Sequence, residues 1–376
     1  MTDELYIGLM SGTSMDGIDA VLAEIGDSTC TIHGTHSLAY PDDLRRRLEI
    51  AVMDSGSIDL LEIGSLNKQV ASCFADAALG ILNKSNINAS AITAIGSHGQ
   101  TVLHHPDKPE PFSVQLGDPG TLAATAGITV VADFRNTDLA LGGQGAPLAP
   151  AFHRWAFSDP DIDRAVVNIG GIANVTLLYA GGDTTGFDTG PGNTLLDQWC
   201  QKHQGTPFDD RGLWAAQGIV QPELLQKMRA DEYFQLTPPK STGLEYFNLG
   251  WLQKCLKACA VQPSYQDTQA TLSECTAQEI AQGVRCMPNV KDVAVCGGGA
   301  YNTDLIDRIR RALPACNIDS TDKWGIDPAW VEALAFAWLA RQRLHGVATN
   351  IPAVTGARAS VSLGGVYLRP DLPSSQ

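Results

Sequence analysis

Twice in this chain a short apolar run enters a glycine-rich turn and returns as a second β-rich run. The first instance is residues 5–10, then Ser11 to Gly17, then 18–25, with a third strand expected at 31–38. The second is residues 165–169, then Gly170 and Gly171, then 174–179, with a further short segment ending at Gly190. Strand, glycine turn, strand is a hairpin pattern, and its recurrence predicts a duplicated α/β architecture although the two halves share little literal sequence. Two such halves facing one another enclose a cleft, a frequent place for a ligand. The 376 residues are enough for two domains, each with a core of its own. We expect a first domain at 1–140, with 351–376 as a candidate to rejoin it, and a second at 141–350.

Between the two hairpins, apolar residues spaced by three and four predict helices at 41–53 and 58–83. Strands are expected at 91–95 and 128–132, and Asp118-Pro119-Gly120 has the form of an N-cap with proline at the first helical position. Beyond the second hairpin the chain is mainly helical, at 193–203, 251–260, 267–286, 301–313 and 328–344. One strand, 293–296, interrupts it and ends on Gly297-Gly298-Gly299, and residues 237–242 form a loop.

Charge narrows the function. A formal net charge of −15 argues against a nucleic-acid partner, which needs a basic face. No apolar run approaches the roughly 18 residues of a membrane helix, and the first residues are acidic and enter a strand, unlike a signal peptide. Nine cysteines without metal-ligand spacing fit reduced thiols in the cytoplasm, most of them small core residues.

The run Gly12, Thr13, Ser14, Met15, Asp16, Gly17, Ile18, Asp19 combines glycines that let backbone N–H groups approach phosphate oxygens with hydroxyl donors. Asp16 and Asp19 are candidates to hold magnesium through water, since that ion keeps much of its hydration shell. A polar turn without a ligand has the same composition. The chain has no Walker loop, and Gly297, Gly298 and Gly299 form no dinucleotide fingerprint; they suit an adenine and ribose lying on the backbone. Asp188, flanked by glycines ahead of a helix, is placed equally as a general base or as a helix cap. His98 and Gln100, in Ser97-His98-Gly99-Gln100-Thr101, offer hydrogen bonds to a sugar or to their own turn. Arg135 offers a fork to a carboxylate or to an ion pair. His104 and His105 read as a loop pair.

Residues 8–19, Gly-Leu-Met-Ser-Gly-Thr-Ser-Met-Asp-Gly-Ile-Asp, resemble the opening signature of the anhydro-N-acetylmuramic acid kinase family. The resemblance continues through 97–101, 133–135, 142–148, 168–174, 186–193, 297–302 and 327–333, and so spans nearly the whole chain. It implies a two-domain actin-like ATPase (ribonuclease H-like) fold, with duplicated mixed-sheet domains around a nucleotide cleft holding ATP and Mg2+. Gly12 to Asp19 would be the first phosphate loop, and Gly170 and Gly171 the second. Gly297, Gly298, Gly299 and Asn302 would face the nucleoside. Asp188 would be the catalytic base, Glu332 would help organise magnesium and phosphates, and His98, Gln100 and Arg135 would bind the sugar. The implied reaction opens the 1,6-anhydro bridge with water and phosphorylates O6, in a cytoplasmic homodimer. The wider superfamily more usually has an aspartate near the position of Met10; here, as in this family, that position is apolar.

Three rivals remain at this stage. An ATP-driven conformational switch would hydrolyse ATP without regard to any sugar. A hydrolase built on Ser14 and His98 lacks the Gly-x-Ser-x-Gly elbow. A sugar-responsive regulator lacks a basic helix-turn-helix.

Overall fold

Tyr6, Ile7 and Leu9 are fully buried, which requires apolar cover on both faces of the strand that carries them. The computed structural model describes residues 3–12, 15–53, 58–106 and 109–370, so Thr13 and Ser14 lie outside the described residues. The chain divides into two compact units, Met1–Phe152 with Trp330–Gln376, and His153–Ala329.

In the first unit β1 (Glu4–Met10), β2 (Gly17–Ile25) and β3 (Cys30–Ala39) form an antiparallel meander. On the other side of β1 lies β4 (Ile92–Ser97), parallel to it. A separate hairpin, β5 (Gln100–His105) and β6 (Phe112–Leu116), follows. Next, β7 (Val130–Ala132) pairs in parallel with β4, and Gly365–Tyr367 closes the sheet antiparallel to β7. Helix Leu60–Ser85 contributes Leu66, Val70, Phe74, Ala77, Ala78 and Ile81 to the core, a stripe at helical spacing. Asp59 caps its start by accepting from Leu61 N at 3.2 Å, and Asn86 ends it in the left-handed conformation. Helix Val331–Leu344 packs on β1 and β4 so closely that a Cβ on Gly8 or Gly96 would overlap the carbonyls of Ala333 and Phe336.

In the second unit β8 (Arg164–Ile169), β9 (Ile172–Leu178) and β10 (Thr184–Pro191) again form an antiparallel meander. Beside β8 lie β11 (Asp292–Cys296) and β12 (Asn317–Ser320), both parallel. From the meander's edge, the two sheets run β3-β2-β1-β4-β7 and β10-β9-β8-β11-β12. The order and sense are the same in both, so the duplication expected from the hairpins extends to five strands.

Most expected elements are present within a few residues. The exceptions have local causes. Strands β5, β6 and β12 were not anticipated, because they are short or carry His, Gln, Thr and Asn among few apolar residues. Helices Asn136–Ala140, Ala149–Phe157, Pro222–Arg229, Glu232–Gln235 and Pro352–Thr355 and the short strand Gly365–Tyr367 also lie outside the expected elements. The last long helix starts at Val331 rather than 328, since Asp327 accepts from Ala329 N at 2.9 Å and turns the chain just before it. Asp118 caps helix Pro119–Ala126 as expected, accepting from Thr121 N at 2.6 Å.

Candidate active site

In open α/β sheets, ligands collect beyond the carboxyl ends of parallel strands. Beyond β1, β4 and β7 the first unit places Ser11 and Gly12, then His98, then Arg135. The Ser11 hydroxyl lies 2.7 Å from both Gly17 O and Gln100 Oε1, and Gln100 Nε2 donates to Gly12 O at 3.2 Å. Gln100 is buried on β5, and its amide holds the start of the Ser11–Gly17 turn at Ser11 and Gly12, while the Ser11 hydroxyl reaches the carbonyl at its far end. Arg135 Nη2 donates to His98 Nε2 at 2.8 Å and Nη1 to Gly145 O at 2.8 Å. Burial, and then the adjacent Arg135 charge, push the His98 pKa down to about 3. His98 is therefore a neutral ring. Of the first phosphate-loop candidates, Met15 is buried with a left-handed φ of 53°, while Ile18 packs in the core.

Asp19 lies on β2 as the cross-strand partner of Met10. Asp19 and Met10 therefore lie on the same face of the strand pair. Burial raises the pKa of Asp19, Ser37 Oγ lowers it through a 2.6 Å bond to Oδ1, and the charge of Asp16 raises it further. Two carboxylates in one another's field suit a hydrated cation. No group of three or more His, Cys, Asp or Glu among the described residues is arranged to hold a metal. Glu332 lies in the first turn of helix Val331–Leu344, half-buried.

In the second unit three turns converge. Asn193 N donates to Gly170 O at 2.8 Å, Gly192 N to Gly171 O at 2.9 Å, and Asn193 Nδ2 to Ile169 O at 3.1 Å. Gly297, with φ at +78°, and Gly299 pack so tightly on the end of β8 that a Cβ on either would overlap Asn168 or Ile169. Asn302 caps the following helix by accepting from Leu305 N at 3.0 Å. The result is a glycine-lined surface in which Gly170, Gly171 and Gly297 are half-buried and Gly298 is exposed.

Asp188 is not a helix cap. It sits inside β10 opposite Asn174, and the helix that follows is preceded by Asn193. Its N–H donates to Lys240 O at 3.1 Å, its carbonyl accepts from Tyr233 Oη at 2.8 Å, and its Oδ2 accepts from Thr242 N at 3.1 Å. Burial lowers the pKa of Lys240 and raises that of Tyr233, and the Asp188 charge raises both.

The profile of the anhydro-N-acetylmuramic acid kinase family matches residues 4–369. This chain belongs to that family. Anhydro-N-acetylmuramic acid kinase of Vibrio cholerae is 46% identical over 366 residues, covering 97% of this chain and 98% of that one. The Shewanella loihica protein of the same name is 45% identical over 370 residues, covering 98% and 99%. Among solved structures, component A of (R)-2-hydroxyglutaryl-CoA dehydratase from Acidaminococcus fermentans is similar with a TM-score of 0.50 and 12% identity, over 89% of this chain and 96% of that one. That likeness speaks for fold alone: α/β, of the actin-like ATPase (ribonuclease H-like) type. The anhydro-N-acetylmuramic acid kinase family phosphorylates 1,6-anhydro-N-acetylmuramic acid in peptidoglycan recycling, and its members are transferases. No helix among the described residues is long and apolar enough to cross a membrane.

Several residues of these sites were not singled out from sequence. Asn168 and Asn193 stand in the glycine runs, where an amide beside a conformationally special glycine is the available signal. Tyr233, Lys240 and Thr242 reach Asp188 from more than 40 positions away, and no local pattern marks them.

Proposed function

We propose that this chain is an ATP-dependent kinase that opens the 1,6-anhydro bridge of 1,6-anhydro-N-acetylmuramic acid and phosphorylates the freed oxygen. Asp188 takes a proton from water, and the hydroxide oxygen bonds to C1 as the C1–O6 bond breaks. O6 then bonds to the γ-phosphorus of ATP as ADP leaves, giving N-acetylmuramic acid 6-phosphate. The backbone rims at Gly12, at Gly170 and Gly171, and at Gly297 to Asn302 hold the phosphates and nucleoside. Most of the stabilisation in phosphoryl transfer comes from such preorganised donors. Mg2+, held through water by Asp16 and Asp19 with Glu332 assisting, would neutralise phosphate charge. His98, Gln100 and Arg135 form the sugar side. The observation that carries this reading is the setting of Asp188: a carboxylate within an edge strand, with one oxygen held by a backbone N–H. Homodimeric assembly in the cytoplasm belongs to the same proposal, and sedimentation of the purified chain tests the dimer.

The test is incubation with ATP, Mg2+ and the anhydrosugar in oxygen-18 water, followed by product mass. A 6-phosphorylated sugar with the heavy oxygen at C1 is expected. ADP formed at one rate with or without sugar, and no phosphosugar, would instead make the chain an ATP-driven switch.

A further inference from the structure

Strand β10 is the edge of its sheet, and an edge strand must find partners for its outward backbone groups elsewhere. At Asp188 those partners all come from the stretch 233–242. In a regular antiparallel pair, one residue's N–H and C=O both go to the neighbouring backbone. Here the N–H does so, to Lys240 O, but the hydroxyl of Tyr233 takes the carbonyl. The incoming N–H of Thr242 is thereby delivered to the carboxylate.

The stretch is itself anchored. A register shift between Asp188 and Gly190 bulges β10, and Gly190, at φ 142°, lies so close to the Phe234 ring that a Cβ there would stand 2.7 Å from it. Lys240 Nζ donates to Tyr233 O at 3.3 Å and lies 4.8 Å from the centre of its ring. Asp231 receives Tyr233 N at 2.9 Å, and the Tyr246 hydroxyl and Trp251 indole at 2.8 Å each. Tyr233, Phe234, Phe247 and Trp251 share one buried cluster.

We propose that Tyr233 and Lys240 are positioning residues that fix the carboxylate of Asp188 for its work as general base. The inference rests on Asp188 being that base. An aspartate side chain otherwise samples several rotamers, whereas a base must present a lone pair within hydrogen-bond reach of one water. Tyr233 secures the main chain and frees the Thr242 N–H for one carboxylate oxygen. Lys240, half-buried, places a positive charge in the field of the carboxylate and favours its ionised form. The ionisable groups around Lys240 include Glu279 on helix Tyr265–Val284 and Cys286 just past it, and Tyr233 on the incoming stretch lies in the field of Asp188.

The test uses the full chain with ATP, Mg2+ and 1,6-anhydro-N-acetylmuramic acid, comparing Tyr233→Phe, Lys240→Met, Lys240→Arg and Asp188→Asn. Tyr233→Phe and Lys240→Met should each lower kcat roughly tenfold, the scale of one lost hydrogen bond or charge interaction, with the KM for ATP unchanged. Lys240→Arg should recover most of the rate. The acid limb of kcat/KM should move to higher pH in Lys240→Met, an effect that merely loosened packing does not produce. Unchanged kcat in both variants while Asp188→Asn is inactive overturns the proposal and leaves the base assignment standing. A loss confined to the KM for the sugar also overturns it, making these residues substrate contacts. Near-normal turnover in Asp188→Asn overturns the base assignment and this proposal with it. Melting curves of the variants separate any of these results from misfolding.

Discussion

Arg135 spends its two terminal nitrogens on two different partners, His98 Nε2 and the Gly145 carbonyl, each at 2.8 Å. Because Nε2 accepts, the neutral His98 ring carries its proton on Nδ1. The arginine thus sets the tautomer of His98 and ties the turn after β4 to the glycine loop at 142–145. Lysine is a point donor on a flexible stem and cannot reproduce this fork. Arg135→Lys is expected to lower kcat/KM for the anhydrosugar by roughly ten- to a hundredfold while nucleotide affinity is kept. Steady-state kinetics in both substrates decides it; a variant with wild-type kcat/KM would remove Arg135 from the sugar side.

Two buried imidazoles give the fold an acid sensitivity with a defined sign. Burial, with Arg135 adding to it, holds His98 down to about 3, and burial holds His153 down to about 3. Both rings titrate near 6.5 in an unfolded chain. With the folded value below the unfolded one, their neutral forms contribute fully above about pH 6.5, and the contribution drains away as pH falls towards 3. Denaturant midpoints should therefore decline between pH 7 and pH 4. His98→Gln, which cannot take up a proton, should decline less steeply. Parallel slopes for wild type and variant would mean that His98 is not neutral in the folded protein.

What could be seen in the sequence follows how local each feature is. The strand–glycine–strand units at Ser11–Gly17 and Gly170-Gly171 are contiguous, so they announced two related sheets. The Gly297 to Gly299 run announced a close backbone approach in the same way. The identity of the residues around Asp188 is different in kind: strand position ruled out the cap, and that position depends on pairing with Asn174 and on a segment beginning at Tyr233. The fit of helix Val331–Leu344 against Gly8 and Gly96 joins residues more than 200 positions apart. The cross-strand pairing of Met10 with Asp19 needed the hairpin register, which a long turn does not fix.

The glycines of β1 and β4 offer a clean contrast with one on a helix. A methyl group on Gly8 would overlap the Ala333 carbonyl and crowd Ala337 N, both backbone atoms that cannot swing aside. Gly8→Ala should cost about 2–4 kcal/mol or prevent folding. Gly64 lies within helix Leu60–Ser85 with nothing within 4 Å of an added Cβ. Gly64→Ala should stabilise by about 0.5–1 kcal/mol through helix propensity and a less flexible unfolded chain. Thermal melts of the two single variants test both signs at once.

The carboxylate of Asp19 has a similar two-sided test. Its pKa is raised by burial and by Asp16, so its charged form is a cost to the apo fold that a cation would relieve. A raised folded value means that stability from the protonated form is present at low pH and is lost as pH rises through that value. Asp19→Asn removes the charge and keeps an oxygen for the Ser37 hydroxyl. The variant should melt no lower than wild type at pH 7 without metal, and higher if the charge is felt. Its Mg2+ requirement should rise roughly tenfold, the scale of one lost charge-assisted ligand, with turnover largely restored at saturating metal. Melting in chelator and rate against Mg2+ at fixed ATP give the two readouts independently. A Mg2+ curve that superimposes on wild type would remove Asp19 from the metal site, and leave the acid opposite Met10 as a residue of the β1–β2 pairing alone.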